Sequence, residues 1–280
     1  LDVLSGNQVL RSNMAVTNTA IGADQAWAGI EGLASITGRG VGVAVIDSGI
    51  ANVNALRGRV VASLDFTDDR GRGIDKLGHG THVAGIIAAE STRRNGDMQG
   101  VAPGAHLVSL KVLDEEGKGT ADNVIEAIDW VVEHHKRYRI RVINLSLGGA
   151  VLQSWQDDPL CQAVARAYAA NVTVVASAGN FGKTEDGTPI LGGVTVPGNC
   201  PHAITVGALN TKGTPFRSDD EVASYSSKGP TLYDRLIKPD LVAPGNRIRS
   251  AAVPGSTLAR RHPELLIGRG ANAEFELSGT

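Results

Sequence analysis

The sequence predicts an α/β fold, a three-layer sandwich in which helices cover both faces of a mostly parallel central sheet. Short, largely aliphatic runs recur along the chain, and they are too continuously apolar for strands with one face in water. Segments with apolar residues at helical spacing separate these runs. Because strand and helix alternate, we expect right-handed crossovers between parallel strands.

The strand candidates share this aliphatic character, as expected of strands that are covered on both faces. In chain order they are Val41–Ile46, Leu107–Val112, Val142–Leu147, Val172–Ala176, Ile204–Val206 and Leu241–Val242. Open sheets of this class place functional groups just beyond the carboxyl ends of their strands. Asp47 and Asn180 each lie just past such an end.

The helix candidates between these runs have apolar residues three or four positions apart. They are the segment that begins at His79 and continues through Val83, Ile86 and Ile87, the segment with Val124, Ile125, Ile128, Val131 and Val132, the segment with Cys161, Val164, Ala165 and Tyr168, and the short segment Gly22–Ala28. The polar, arginine-bearing stretch Gly255–Ala273 instead predicts a long surface insertion.

Composition limits the possible partners. The formal net charge is −2, whereas nucleic acid or an anionic membrane surface requires a concentrated basic face. No stretch reaches the roughly 18 consecutive apolar residues of a membrane-spanning helix. We therefore expect neither nucleic acid nor a membrane as a partner. The cysteines Cys161 and Cys200 are compatible with one disulfide or with two buried thiols.

Three motifs indicate a function. Asp47 ends the run Val41–Asp47, His79 lies in Gly-His-Gly-Thr-His-Val-Ala-Gly, and Asn180 ends Ala-Ser-Ala-Gly-Asn. The stretches Leu145–Gly149 and Lys238–Gly245 extend the pattern. Together and in this order, the motifs resemble those of the subtilisin-like serine peptidases. The order Asp, His, Ser is also that of subtilisin and differs from the order in chymotrypsin.

The resemblance implies a serine endopeptidase with a catalytic triad. His79 is then the general base, Asp47 orients and stabilises its imidazolium, and Asn180 donates a hydrogen bond to the oxyanion. In this family the serine follows a Gly-Thr pair, so the resemblance places the nucleophile directly after Gly279 and Thr280. We therefore expect residues 1–280 alone to lack hydrolytic activity.

The resemblance also implies which segments bind substrate. An extended peptide is expected to add as a strand, since main-chain pairing presents the scissile bond whatever the side chains are. One side of the cleft is expected at Gly117, Lys118 and Gly119, and the other at Ser146, Leu147 and Gly148. The pocket for the residue before the scissile bond is expected at Ser177, Ala178 and Gly179.

The expected partners are a peptide or protein substrate, the enzyme's own propeptide, and a C-terminal continuation that carries the serine. Residues 1–20 resemble the junction between propeptide and mature enzyme, and residues 21–280 form the peptidase domain, incomplete at its C-terminus. The family resemblance favours a secreted, extracellular zymogen. No cofactor is required for the chemistry.

Each functional signal also has an ordinary structural interpretation. Asp47 is compatible with a turn or helix cap, and Asn180 with a left-handed turn. His79 and His82 form a candidate metal pair, but no third ligand falls at suitable spacing, which favours His82 as a hydrogen-bonded core residue. The glycines of residues 38–42 precede their strand instead of following it, which argues against a dinucleotide site. A catalytically silent, peptide-binding form remains an alternative.

Structural calcium is a further possibility, with its ligands unassigned. The acidic side chains Asp65, Asp68, Asp69 and Asp75 are candidates because calcium favours clustered oxygen ligands. Their spacing is not that of an EF-hand, so a solvated loop is the favoured interpretation. Relatives in this family often bind calcium in the loop after the His-bearing helix, but the arginines of residues 90–99 argue against such a site here.

Overall fold

The structure, a computed structural model, describes residues 13–29, 32, 34–67, 73–90 and 99–280. Its α-helices are α1 (Asn13–Ile21), α2 (Ala23–Ala28), α3 (His79–Ala88), α4 (Ala121–His134), α5 (Pro159–Ala169) and α6 (Thr257–Arg261). Its strands are β1 (Gly42–Asp47), β2 (Val60–Asp65), β3 (His106–Lys111), β4 (Ile140–Leu145), β5 (Thr173–Ser177), β6 (Ala203–Asn210), β7 (Glu221–Val222), β8 (Leu241–Pro244), β9 (Ile248–Ala251), β10 (Leu266–Ile267) and β11 (Glu274–Leu277). Short 3₁₀ turns cover Asn54–Leu56, Arg217–Asp219, Pro263–Leu265 and Gly270–Asn272.

The central sheet has the strand order β2-β3-β1-β4-β5-β6-β7, and β8 also pairs with β6. Every pairing in this sheet is parallel except the one between β6 and β7. Helices α4 and α5 lie on one face and α3 lies on the other. The predicted α/β class, with a mostly parallel sheet between two helical layers, is therefore confirmed.

The larger core lies between the sheet and the helices α4 and α5. Ile128 and Val131 of α4 and Val164 of α5 are completely shielded from solvent, as are Ile143 and Leu145 of β4. These strand residues alternate with more exposed ones along β4, so their side chains point to one face. Burial of such aliphatic side chains stabilises each by roughly 1.5–3 kcal/mol. The sheet is thereby fixed as a rigid platform.

The opposite face of the sheet is covered by α3. Val83 and Ala84 of this helix are buried with Val45 of β1 and Leu107 of β3. The helix also approaches β9 closely at Gly85, where a Cβ atom would collide with the Ser250 hydroxyl. Contacts with β1, β3 and β9 hold α3 in place. The first residues of the helix lie at the carboxyl end of β1.

Strand β2 differs from the predicted strands because its residues are only partly buried. It lies at the edge of the sheet and pairs in parallel with β3. Exposed and half-buried positions alternate along it, and Val61 is 51% exposed. An edge strand of this kind has no continuous aliphatic run, which is why the sequence pattern did not reveal it.

The segment Gly255–Ala273 is not the irregular surface insertion that its polarity predicts. It contains α6, two 3₁₀ turns and β10, and β10 pairs with β11. Strands β10, β11 and β9 form a separate antiparallel sheet. Ala259, Ala273 and Phe275 bury a small core beneath it. Few apolar residues suffice for so small a core, so the overall composition of the segment stays polar.

Helix α1 falls within the stretch predicted to be a maturation junction. Despite lacking a periodic apolar pattern, it buries Met14, which is only 1% exposed. Arg217 Nε donates a hydrogen bond to the Ala20 carbonyl at 2.8 Å, and Asn18 Nδ2 donates to the Gln99 carbonyl at 2.8 Å. These contacts tie α1 to the folded domain. Residues 1–12, the rest of the predicted junction, lie outside the described residues.

Replacing Met14 by alanine tests whether α1 belongs to the core. In the full-length protein we expect Met14→Ala to lower the free energy of unfolding by about 2–5 kcal/mol, because a buried side chain is removed and a cavity remains. Ile21→Ala, at a position that is 38% exposed, should cost much less. Denaturant unfolding measures both values. Equal stability of the two variants would contradict the burial of α1.

Candidate active site

Asp47 and His79 form a hydrogen-bonded pair where β1 ends and α3 begins. The Asp47 carboxylate is completely buried, and His79 Nδ1 lies 2.8 Å from its Oδ1 and 2.9 Å from its Oδ2. Oδ1 also accepts a hydrogen bond from the Ser48 N–H at 2.7 Å. The His79 side chain is 32% exposed, so the ring remains accessible. A carboxylate on Nδ1 leaves Nε2 to exchange a proton with another group.

Two glycines let α3 begin this close to β1. Gly78, which precedes the helix, has a φ of 98°, in the region where a side chain is strained. At Gly80 a Cβ atom would collide with the Gly49 carbonyl and lie 3.2 Å from Asp47 Oδ1. Any larger residue at position 80 would therefore push the helix away from Asp47. Glycine is therefore needed on both sides of His79 for the imidazole to reach the Asp47 carboxylate.

The electrostatics of the pair favour a protonated imidazole. The negative charge of Asp47 raises the pKa of His79 above its ordinary value, and the hydrogen bond between them adds to this. Burial acts in the opposite direction. Because the carboxylate effect is larger, the imidazolium that forms when His79 accepts a proton is stabilised.

His82, the other histidine of the motif, has a structural position. It is 3% exposed, and its Nε2 contacts the Ile248 carbonyl at 3.2 Å and the Phe275 carbonyl at 3.0 Å. Burial lowers the pKa of His82 to about 4, so it is neutral at neutral pH. It links α3 to β9 and β11. Within the part of the chain that the structure describes, no group of three potential ligands is suited to a metal ion.

Asn180 lies beyond the end of β5, after a turn in which Gly179 has a φ of 98°. Its Oδ1 accepts hydrogen bonds from Thr280 N at 3.1 Å and from Thr280 Oγ1 at 3.2 Å. Gly179 N in turn donates to Thr280 Oγ1 at 3.1 Å. With its oxygen held in this way, the carboxamide of Asn180 presents its amino group as a donor.

Two cavities meet at His79, and the predicted substrate segments line them. The first, of about 570 Å³, is lined among others by His79, Ser146, Leu147, Gly148, Ser177, Gly179, Asn180, Thr195 and Thr280. The second, of about 480 Å³, is lined among others by His79, Leu113, Gly117, Lys118, Gly119, Ser146, Leu147 and Gly148. The structure thus brings the candidate catalytic and substrate-binding segments together around one imidazole.

Ala178 is the one predicted substrate-binding residue that lines neither cavity. It is completely buried, its N–H donates to the Val206 carbonyl at 2.9 Å, and its carbonyl accepts from Thr195 N at 3.1 Å. The sequence pattern could not separate it from Ser177 and Gly179, because alternation along the chain turns only every second residue toward the cavity. Ala178 instead anchors Thr195.

Thr195 is a cavity residue that sequence reasoning missed. It is 6% exposed and lies between Gly148 and Gly179. A Cβ atom at Gly148 would come within 2.9 Å of Thr195 Cβ, and one at Gly179 within 2.8 Å of Thr195 Cγ2. The threonine side chain therefore fills the space where the two walls face each other. No sequence motif marked it, since its position depends on the fold.

Cys161 and Cys200 are joined by a disulfide, with their Cα atoms 5.3 Å apart. The bond links α5 to the segment that follows Thr195. Asp158, the N-cap of α5, accepts hydrogen bonds from Leu160 N at 2.8 Å and Cys161 N at 3.1 Å. Of the alternatives that the sequence left open, the structure has the bonded pair.

Of the four acidic residues suggested for calcium, the structure describes Asp65 and Asp75, and both accept hydrogen bonds from protein donors. Asp65 Oδ1 accepts hydrogen bonds from the N–H and the hydroxyl of Thr67, at 2.9 Å and 2.6 Å. Asp75 is buried beside α3 with its oxygens occupied by other donors. Asp68, Asp69 and residues 91–98 of the second suggested loop lie outside the described residues. Calcium binding therefore stays a prediction.

Comparison with known proteins identifies the family. The model of the subtilase family matches residues 38–267, which include Asp47, His79 and Asn180. The chain belongs to the subtilase family. Among solved structures, Sphericase superposes on this subtilase with a TM-score of 0.68 and 28% sequence identity, covering 92% of this chain and 77% of that one. The subtilisin-like fold predicted from the motifs is thus confirmed.

Two bacterial serine proteases are similar in sequence to this subtilase over most of its length. Serine protease AprX of Bacillus subtilis (strain 168) is 36% identical over 275 residues, which are 96% of this chain and 60% of that protein. An intracellular serine protease of Paenibacillus polymyxa is 36% identical over 256 residues, 85% of this chain and 70% of that protein. The chain thus spans less than two thirds of the length of AprX.

The opposite environments of the two motif histidines give a test by NMR titration of the full-length protein. We expect His79 to titrate above about 6.5, the ordinary value for histidine, and His82 to titrate near 4. Asp47→Asn should lower the pKa of His79, because it removes the neighbouring negative charge. Asp65→Asn, an equal charge change at the end of β2, should not. An unchanged His79 in Asp47→Asn would contradict the pairing.

Proposed function

We propose that this subtilase is a serine endopeptidase that hydrolyses peptide bonds with Asp47, His79 and a serine that directly follows Thr280. The observation that carries the proposal is the Asp47–His79 hydrogen bond at 2.8 Å, beside the cavity that Asn180 and Thr280 also line. AprX and the Paenibacillus relative are named serine proteases, which supports the same class of reaction.

In this mechanism His79 is the general base. Its Nε2 accepts the proton of the serine hydroxyl while the serine oxygen forms a bond to the substrate carbonyl carbon. Asp47 keeps Nδ1 protonated and stabilises the imidazolium that results. The imidazolium then protonates the leaving amine as the C–N bond breaks, which leaves an acyl-enzyme. A water molecule activated by His79 hydrolyses the ester and frees the serine.

Asn180 stabilises the charge that develops on the carbonyl oxygen. The hydrogen bonds from Thr280 to its Oδ1 hold the carboxamide by its oxygen, so that its amino group is directed at the oxyanion. A donor fixed before the reaction needs no reorganisation when the charge appears, and it therefore favours the transition state over the ground state.

The substrate binds as an extended strand between the loop Gly117–Gly119 and the segment Ser146–Gly148. Both segments line the cavities at His79, and the glycines leave their backbone groups accessible. Main-chain hydrogen bonds hold a peptide in register regardless of its side chains. Leu113 and Leu147 give the second cavity an apolar lining, which suits an apolar substrate side chain.

The C-terminal continuation is the second proposed partner. On the face of the sheet that carries α3, Ile204 of β6 is 40% exposed and Leu241 of β8 is 47% exposed. Val175 of β5 pairs with Ile204, and Val206 pairs with Leu241, so these apolar side chains share one face. Thr280 is hydrogen-bonded to Asn180 beyond the end of β5, and we propose that a segment that follows it covers the exposed residues.

We further propose that the enzyme is secreted and is made with a propeptide. The Cys161–Cys200 disulfide supports an oxidising compartment, because such bonds are rare in the cytosol. The Paenibacillus relative, by contrast, is named an intracellular protease. Among the described residues, no helix has both the length and the apolar character for crossing a bilayer. Culture fractionation and N-terminal sequencing of the active enzyme decide the location and the maturation site.

The activity itself is tested by expressing residues 1–280 and the full-length protein side by side on a chromogenic peptide. We expect turnover by the full-length enzyme, blocked by a serine-directed phosphonate, and none by residues 1–280. His79→Ala should abolish the phosphonate-sensitive turnover. Asn180→Ala should lower kcat by roughly 10²–10³ with little change in KM, a range taken from subtilisin itself.

Two results would overturn this proposal. Phosphonate-sensitive turnover by residues 1–280 would show that the nucleophile lies elsewhere. A full-length protein that binds peptide but never reacts with the phosphonate would identify a catalytically silent binding protein.

Because Thr195 fills the space between Gly148 and Gly179, we expect the enzyme to prefer substrates with a small side chain before the scissile bond. Thr195→Gly should raise the ratio of kcat/KM for a phenylalanine substrate to that for an alanine substrate by at least about tenfold. Thr195→Val keeps the volume and should leave the ratio nearly unchanged. Peptide series that differ only at this residue measure the ratio. A ratio that does not move in Thr195→Gly would remove Thr195 from the pocket.

A further inference from the structure

Asp75 is a buried carboxylate beside the candidate catalytic pair. It is 1% exposed and lies in the segment that leads into α3, ahead of Gly78. No lysine or arginine of the described residues forms an ion pair with it. Isolated buried charges are costly, so a carboxylate in this position needs strong hydrogen bonding to remain ionised.

Four donors surround the two oxygens of Asp75. Oδ1 accepts from Ser48 Oγ at 2.9 Å and from Gly78 N at 2.7 Å. Oδ2 accepts from Thr81 N at 2.9 Å and from Thr81 Oγ1 at 2.6 Å. Each oxygen therefore receives two hydrogen bonds, which is the full acceptor capacity of an ionised carboxylate.

The direction of the two hydroxyl hydrogen bonds is fixed by their other partners. Ser48 Oγ accepts from Gly80 N at 2.9 Å, and Thr81 Oγ1 accepts from Ala51 N at 2.9 Å. A backbone N–H can only donate, so each hydroxyl directs its own hydrogen to Asp75. Four donors directed at the two oxygens favour the ionised carboxylate and oppose the effect of burial.

The network connects both sides of the candidate catalytic pair. Ser48 follows Asp47 in the chain, while Gly78 and Gly80 flank His79. Through Ser48 and Gly78, Asp75 therefore joins the backbone that carries the carboxylate to the backbone that carries the imidazole. A shift of α3 relative to β1 would therefore break the Asp75–Ser48 hydrogen bond as well as the one between His79 and Asp47.

We propose that Asp75 is a positioning residue, which holds His79 against Asp47 and adds a second fixed negative charge behind the imidazolium. The inference rests on the proposed peptidase function. Asp75 does not touch the substrate and acts through His79. Its loss should therefore reduce the chemical step and leave substrate binding unchanged.

The charges around Asp75 set the direction of its effect on His79. Asp47 approaches from β1 and His79 from α3, and the Lys111 ammonium of β3 donates to the Ser48 carbonyl at 3.4 Å. Burial raises the pKa of Asp75 above its ordinary value, and the hydrogen bonds from Thr81 and Gly78 reduce this rise without reversing it. The negative charges of Asp47 and Asp75 both raise the pKa of His79, with Asp47 the stronger.

Asp158 provides a matched control. It is also a buried aspartate at the start of a helix, with an exposure of 9%, and it accepts from the backbone of Leu160 and Cys161. It lies at the start of α5, on the other side of the sheet from α3. Asp158→Asn therefore makes the same change of charge at a buried aspartate that accepts backbone hydrogen bonds, without touching His79.

The experiment compares Asp75→Asn and Asp158→Asn in the full-length enzyme. For Asp75→Asn we expect kcat to fall by on the order of 10²-fold with KM unchanged, because misplacement of a catalytic group has effects of this size. The pKa of His79, from NMR and from the acid limb of the kcat/KM profile, should move to lower pH. Asp158→Asn should change neither quantity, although it should lower stability.

A second comparison separates positioning from a loss of folded protein. In an Asp47→Ala background, Asp75→Asn should add little further loss, because residues that act as a unit are not additive. A purely structural role would lower activity equally in both backgrounds and would overturn the inference. Ser48→Ala removes one donor and keeps the carboxylate, so it should give a smaller loss in kcat with KM unchanged. This variant replaces Asp75→Asn if the latter does not fold.

The outcomes distinguish the two proposals. If the wild-type enzyme shows no phosphonate-sensitive turnover, the peptidase function fails, while the NMR titration still tests the effect of Asp75 on His79. If the wild type is active and Asp75→Asn retains both its kcat and the pKa of His79, the positioning role is wrong and the function stands.

Discussion

The close approach of α3 to the carboxyl end of β1 is the constraint on which the candidate site depends. Gly80 has no space for a side chain, Gly78 adopts a left-handed turn, and Asp75 holds the two backbone segments together. These features bring His79 Nδ1 to 2.8 Å from Asp47. The rest of the fold supports this contact, since one core packs α3 directly on β1 and the core on the other face of the sheet also holds β1.

Much of this architecture could be predicted because its signals are local. Strands β1 and β3 are covered on both faces, and β4 and β5 bury one face and part of the other, so all four sequences are rich in aliphatic residues. Asp47, His79 and Asn180 lie in motifs whose spacing reflects the tight turns they occupy. Edge strand β2 and helix α1 gave no such signal. The first is half exposed, and the second is held by distant contacts, such as that of Arg217 with the Ala20 carbonyl.

Sequence patterns could not identify residues whose positions depend on contacts between distant segments of the chain. Thr195 fills the pocket only because β5 and the segment after it bring it between two glycines. The sequence pattern presents Asp75 as one of several acidic residues in a loop, whereas its proposed role depends on four donors from three residues, Ser48, Gly78 and Thr81. Ala178 is predicted with its neighbours Ser177 and Gly179 to line the pocket, whereas in the structure it is buried and lines neither cavity.

The disulfide between Cys161 and Cys200 has a consequence for how the pocket responds to heat. It attaches the segment after Thr195 to α5, a helix whose Cys161, Ala163 and Val164 are locked into the large core. The segment from Thr195 to Cys200 therefore moves with a core helix, whereas a surface loop without such a link would fluctuate more widely. In the proposed peptidase, selectivity among substrates should accordingly weaken with temperature only as the core itself loosens.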